Sequence, residues 1–314
     1  MEGLGLNTFK KARSFIYRNA RPIDLSRWQY HFENGSKESV LDVLSYYQNE
    51  DGGFGHALEE DSWNPNSSPI QTWCAVELLR EINFTDKAHP IIKGILKYLE
   101  SGDGFVKSKW ASEIESNNYY PHAFWWDWKP DAEYDYNPTA NLAGFCIKFA
   151  DRKSPLFYKA CKIAQESANS LLDRDRVDDG HLLLCYIRLY QYCIETNTIS
   201  LFDFDEYSKK LMNFVSQAIC NADIEWSCDG VVFEYINAFA HDLQSISLSC
   251  DKINYIANYL KDNQQDDGSW NISWNWSGYV EEWAISKNWW KSYGIIANML
   301  FLKRYQNKIL RKRP

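Results

Sequence analysis

No window of the 314-residue chain approaches the ~18 consecutive apolar residues of a membrane span, so no transmembrane segment is expected. The first residues have no uninterrupted apolar stretch and carry Lys10, Lys11, Arg13 and Arg18, which argues against a secretory signal. The eight cysteines (74, 146, 161, 185, 193, 220, 228 and 250) never form a C-x-x-C pair. A zinc or redox motif is therefore not expected. Most of them sit in apolar helical patterns, as small hydrophobes in a reducing cytoplasm. Positive charge is in deficit too: 34 Lys and Arg stand against 42 Asp and Glu, a net charge of −8. That balance argues against a nucleic-acid partner. Basic residues gather only at the ends, the second group being Arg311, Lys312 and Arg313. They read as solvated ends, with weak contact to an acidic membrane surface as the alternative. G-x-S-x-G, H-E-x-x-H and a phosphate-binding glycine loop are all missing, and no cofactor is expected. Extended strand patterns are nearly absent.

Aromatic residues are abundant, at 16% of the chain with 14 Trp and 20 Tyr. So many rings fill thick helix layers, line a pocket, or both. Asp-Gly recurs at 51–52, 103–104, 179–180, 229–230 and 267–268. Helical periodicity precedes each pair, over about 36–48, 86–100, 155–172, 204–220 and 250–264, and follows each, over about 70–82, 138–150, 181–195, 231–248 and 284–303. Segments 8–19 and 24–33 supply a first helix pair. The helices that precede are amphipathic; those that follow are apolar on most faces, as in Leu182–Ile187, and so are buried on most faces. The chain thus alternates outer and inner helices in about six hairpins within one domain, 1–314. The glycines are expected to end helices in the left-handed region. Ser68-Pro69 and Asn137-Pro138 each read as an N-cap followed by proline at the first helical position.

Two of the Asp-Gly turns match over seven residues, Gln48–Phe54 and Gln264–Trp270, both reading Q-x-x-D-G-[GS]-[FW]. This pattern resembles the QW repeat of squalene-hopene and oxidosqualene cyclases, a related form of which occurs in protein prenyltransferase β subunits. The resemblance implies an all-α fold, an α/α toroid or α6/α6 barrel. It implies that Gln48 and Gln264 cap a neighbouring helix and that Phe54 and Trp270 stack. A second, closer resemblance is to bacterial proteins of the same toroid without an established activity. It is carried by Asp51–Asp61 with Ser68-Pro69, and by His122–Trp126 followed by Asn137–Ala140. The chemistries of the named families are not matched. The protonating D-x-D-D motif has only Asp203-Phe204-Asp205-Glu206 as a near relative, at the start of an outer helix. The D-D-x-x-D motif has no counterpart, and Asp173–Asp179 reads as a polar loop. Cys228-Asp229 with His241 has the wrong spacing for the prenyltransferase zinc site, so no metal is expected.

Three connections into inner helices are long: about 49–69, 101–137 and 265–283. Loops beyond about 12–15 residues in a compact domain are usually functional. In a toroid all three lie on one rim, at the inner-helix N-termini. The expected acid–base groups are Glu59 and Asp61 from the first loop and His122 and Asp127 from the second. The expected binding residues are Trp63, Trp125, Trp126, Trp276, Glu282 and Trp283. An acid or histidine beside several rings suits protonation of an alkene, with the rings stabilising the cation. It also suits glycosidic chemistry, or simple binding of an apolar ligand. The plainer readings are rings that cover the cavity mouth, carboxylates that cap backbone amides, and a hydrogen-bonded structural histidine. The expected function is binding of an apolar or isoprenoid-like molecule in an aromatic-lined cavity. If turnover follows, the resemblance implies cyclase- or transferase-like chemistry rather than metal-dependent hydrolysis. The alternatives are a carbohydrate-active enzyme of α6/α6-barrel type and a non-catalytic binding or scaffold protein.

Overall fold

A computed structural model of the chain describes residues 6–221 and 250–310. Eleven α-helices stand among them: α1 (Leu6–Asn19), α2 (Pro22–Phe32), α3 (Lys37–Ser45), α4 (Pro69–Glu81), α5 (Pro90–Ser101), α6 (Thr139–Phe149), α7 (Pro155–Leu172), α8 (Gly180–Thr196), α9 (Phe204–Asn221), α10 (Cys250–Asp262) and α11 (Val280–Leu310). One antiparallel ribbon, β1 (Phe105–Val106) with β2 (Lys109–Trp110), lies in the second long connection. The chain is all-α, and helical periodicity alone places the ends of the helices to within about four residues, except that α11 runs to Leu310, seven residues past its expected end at 303. The helix expected at 231–248, the Asp229-Gly230 turn, Cys228 and His241 lie outside the described residues. No described helix is long and apolar enough to cross a membrane.

Helix starts follow local hydrogen bonding. Ser68 Oγ accepts from the Gln71 amide at 3.2 Å and Ser154 Oγ from the Phe157 amide at 3.2 Å, each ahead of a proline in the first turn. At α8 the side chain of Asp179 accepts from His181 at 2.8 Å and Leu182 at 3.3 Å. Two expectations change here. Gly180 is the first residue of α8 rather than a left-handed turn, because Asp179 acts as the N-cap. Asn137 does not cap α6, which starts at Thr139 after a cis Asn137-Pro138 bond. Its side-chain oxygen faces the Cys185 thiol at 3.5 Å, and its carbonyl accepts from Ser112, so the residue serves the packing around it. Asp179→Ala is expected to lower stability by about 1 kcal/mol, read from the thermal unfolding midpoint.

The described residues fall into two compact units. One comprises those of Leu44–Val215 with Trp276–Tyr279. At its centre, α6 buries ten of its eleven residues, and α8 buries every residue from Leu182 to Leu189. By contrast α7 buries one stripe (Leu156, Ala160, Ile163, Ala164, Ser167, Ala168 and Leu171), the spacing of a one-sided helix. The segments read as apolar on most faces at α6 and α8 and as one-sided at α7 therefore differ in burial as expected. An ion pair joins α8 to α4: Arg188 donates to Glu77 Oε2 at 2.9 and 2.7 Å. Asn141 on α6 donates to Glu77 Oε1 at 2.7 Å. Burial raises the Glu77 carboxyl, but the charge and hydrogen bonds of Arg188 outweigh it and hold the group below its ordinary 4.5. Cysteines 74, 146, 161, 185 and 193 are free thiols.

The other unit holds the described residues of Met1–Val43, Ser216–Asn275 and Val280–Pro314. Phe9, Trp28 and Phe32 form its aromatic cluster, with ring centroids 4.5–6.2 Å apart. Fully buried Asp24 accepts from Arg21 and Arg27, each at 2.9 Å. Those guanidinium groups lie over Trp289 and Tyr293 of α11 at 5.2 and 5.0 Å. Such a buried charge triad is held by its mutual pairing.

Each unit carries one copy of the repeated turn, and the two copies are built alike. In the first copy Asn49 N donates to Gly53 O, Gly52 N to Asn49 O, and Gly53 N to the Asp51 carboxylate at 2.8 Å. In the second, Gln265 N donates to Ser269 O, Gly268 N to Gln265 O, and Ser269 N to the Asp267 carboxylate at 2.9 Å. Gly52 and Gly268 have φ of 97° and 99°, a region open to glycine. Each turn docks on a helix. Gln48 Nε2 donates to Gly52 O and to Ile91 O of α5; Gln264 Nε2 donates to Gly268 O and to Thr8 O of α1. A Cβ on Gly52 would lie 2.1 Å from Gly94 O, and one on Gly268 would lie 2.1 Å from Lys11 O. In both cases the glycine meets the carbonyl three residues beyond the one the glutamine reaches. The glutamines thus bind carbonyls inside the first turns of their partner helices, a different contact from the cap that the resemblance implies. Phe54 and Trp270 are buried, with the Trp270 indole donating to Leu260 O at 2.9 Å.

Candidate functional site

The long connections hold one another in place within the Leu44–Val215 unit. Fully buried Gln71 at the start of α4 latches the first loop, accepting from Leu58 N and donating to Asn64 O, both at 2.9 Å. His56 and Ala57 carry positive φ of 60°, a sharp bend just before the acids. Asn64 ties this loop to the second by donating to Ser116 Oγ and Asn117 Oδ1 at 2.8 Å. Asn117 in turn donates to Trp126 O at 3.1 Å. Backbone pairing completes the seam: Trp63 N donates to Pro121 O and Ala123 N to Asp61 O, both at 2.9 Å, with Ser62 opposite His122. The third connection joins through two rings. The Trp276 indole donates to Asp61 Oδ1 at 2.8 Å, and the Tyr279 ring lies 5.9 Å from that of His122.

Glu59, Glu60 and Asp61 are all nearly buried. Glu59 Oε2 accepts from the Asp61 amide at 2.8 Å, so this acid fixes the shape of its own loop. Asp61 Oδ1 accepts the indole N–H of Trp276, a bond that fixes the orientation of this carboxyl group. His122 is buried, with Nδ1 at 2.6 Å from Tyr120 O and Nε2 at 2.8 Å from Asp127 Oδ1. A carbonyl oxygen only accepts, so its bond requires hydrogen on Nδ1. The neutral ring then turns a lone pair towards Asp127, and protonation at Nε2 makes both bonds at once. The Asp127 side chain is 54% exposed, which opens this pair to solvent.

The structure therefore joins Asp61 to Trp276 and His122 to Asp127, on neighbouring loop segments. Trp125 and Trp126 sit half-buried on a single 3-10 turn, Phe124–Trp126, and Trp63 is half-buried on the first loop. Glu282 and Trp283 lie in the first turn of α11, in the other unit. Asp203, a distant candidate, accepts from the Glu206 amide at 3.0 Å and starts α9. Sequence patterning missed the positioning amides Asn64, Gln71 and Asn117, whose partners lie up to 53 residues away. It also missed Glu113 on the second loop, whose carboxyl burial pushes up, the direction a proton donor needs. No three His, Cys, Asp or Glu residues come together as a metal site among the described residues. No protein-family model, curated protein or solved structure matches the chain.

Proposed function

We propose that the chain is an α/α toroid of about six hairpins, and that its joined loops bind an apolar, isoprenoid-like small molecule beside Asp61. The His122–Asp127 pair is the group that moves a proton there. The observation that carries this reading is the Trp276–Asp61 bond, which joins connections 215 residues apart around a buried carboxylate and several rings. The ring closure is supported by the twin turns. The first copy docks on α5, the next outer helix in sequence, and the second docks on α1, the outer helix that follows only if the order is circular. The setting proposed is cytoplasmic.

A second reading, a carbohydrate-binding enzyme, is favoured by one feature. Phe124 and Tyr279 are 57% and 44% exposed close to Asp127, as open stacking platforms for sugar rings.

Quenching of tryptophan fluorescence by a C15 or C20 prenyl alcohol separates the two. Saturable quenching is expected, weakened by about tenfold in Asp61→Asn with Trp276→Phe, a loss near 1.4 kcal/mol. His122→Gln is expected to leave binding intact and to remove any turnover. Saturation by a neutral oligosaccharide and not by the alcohol transfers the site to the second reading. Binding unaffected by Asp61→Asn with Trp276→Phe overturns the assignment of the site.

A further inference from the structure

A cleft of about 730 Å³ opens in the Leu44–Val215 unit between the first repeated turn, the segment after α5 and the 3-10 turn Glu115–Tyr119. None of the Asp61, His122 or Trp276 side chains lines it. Four carboxylates do, those of Glu50, Asp51, Asp103 and Glu115, and among the described residues no Lys, Arg or His joins them. All four belong to exposed residues. Acidic residues at a surface are ordinarily just solvated. This cleft differs because Tyr98, also lining it, is only 1% exposed, and its hydroxyl has no hydrogen-bond partner among the described residues. Burial, then the charges of Asp51 and Asp103, push the phenol far above its ordinary value, so it keeps its hydrogen. A neutral hydroxyl left unpaired in a buried position is a cost that a ligand can remove. The four carboxylates do not come together as a metal site, and the volume is far larger than one ion needs. Ile114 and the exposed ring of Tyr119 add apolar surface at the edge.

We propose that this cleft binds a flexible organic polycation of the polyamine class. Its ammonium groups pair with Asp51, Asp103 and Glu115, one N–H donates to the Tyr98 hydroxyl, and the methylene chain lies along Ile114 and Tyr119. Asp51 is pre-set for this by its bonds from Gly53 N and Ser67 Oγ, both to Oδ1. The site is independent of the function proposed above, since it uses none of those side chains.

The test is calorimetric titration of the full chain with spermidine at low salt. One saturable site is expected. Asp103→Asn with Glu115→Gln weakens it by about tenfold and Tyr98→Phe by about fivefold, as expected for two lost ion pairs and one lost hydrogen bond. Asp86→Asn, which removes a carboxylate outside the cleft, leaves the affinity unchanged. Tyr98→Phe keeps the ring and removes only an unpaired group, so it folds, and its unliganded melting point does not fall. Absence of saturable heat overturns the proposal. So does a loss in Asp86→Asn equal to that in the cleft variants, which marks diffuse attraction to a chain of net charge −8. Unchanged binding in Tyr98→Phe and in the double variant overturns it as well.

Discussion

Replacing Arg188 with leucine is expected to lower the unfolding free energy by about 3–5 kcal/mol, because it leaves a buried carboxylate without its counter-charge. The side chains of Arg188 and Glu77 are only 8% and 18% exposed, so water replaces little of what is lost. Urea denaturation provides the measurement. A drop below about 1 kcal/mol would mean that the pair is worth no more than a surface salt bridge. Replacing both partners with methionine is expected to recover most of the loss, since the desolvation of two charges disappears with their attraction. Recovery stays incomplete because the Asn141 amide then loses its acceptor, at about 1–3 kcal/mol. The pair also sets an acid limit. The folded Glu77 group titrates below its ordinary 4.5, so its contribution is present above that pH and fades as pH falls through the lower folded value. In the leucine variant this acid-labile contribution is missing at every pH.

Gly52→Ala and Gly268→Ala are expected to cost at least about 3 kcal/mol each, combining a strained positive φ with a forced overlap. The overlap is with backbone: the new Cβ would stand 2.1 Å from the carbonyl of Gly94 or of Lys11. A helix carbonyl cannot rotate away as a side chain can, so the turn must lift off its helix. The damage should be local to each copy. Hydrogen exchange should rise around Ile91–Gly94 for the first substitution and around Thr8–Lys11 for the second. Equal protection in both places, with an unchanged melting point, would show that the close approach is relaxed at little cost.

How far the sequence alone reaches depends on how local each cause is. The helices were readable because burial of one stripe or of all faces leaves its period in the chain, as in Leu156 to Leu171 and Leu182 to Leu189. The twin turns were readable because the same residues do the same backbone work in both. Glu77 with Arg188 was not, since the partners stand 111 residues apart and each looks like an ordinary helix charge. Tyr98 has the spacing of the buried stripe of α5, and nothing local to it reveals the carboxylates that neighbouring segments bring to the same cleft. Asn137-Pro138 misled because a cap signal was satisfied by contacts to Ser112 and Cys185 instead. Among the candidate site residues, Glu59, Asp61, His122 and Asp127 could be named from composition and loop length, but not that His122 pairs with Asp127. The indole that holds Asp61 could only be one of many tryptophans until the loops were seen together.

The docking of Gln264 and Gly268 on α1 has a consequence for synthesis. The partners of the Thr8 and Lys11 carbonyls are made more than 250 residues after them. By then the stretch from Leu44 to Val215 has long left the ribosome, and its α4, α6 and α8 can pack from contacts already present. The first helix has no such early partner in the repeated turn. It can pair early with α2 through Phe9, Trp28 and Phe32, whereas the Phe15 ring, which Lys291 of α11 later lies over, stays open to a nascent-chain chaperone until the last helix is made.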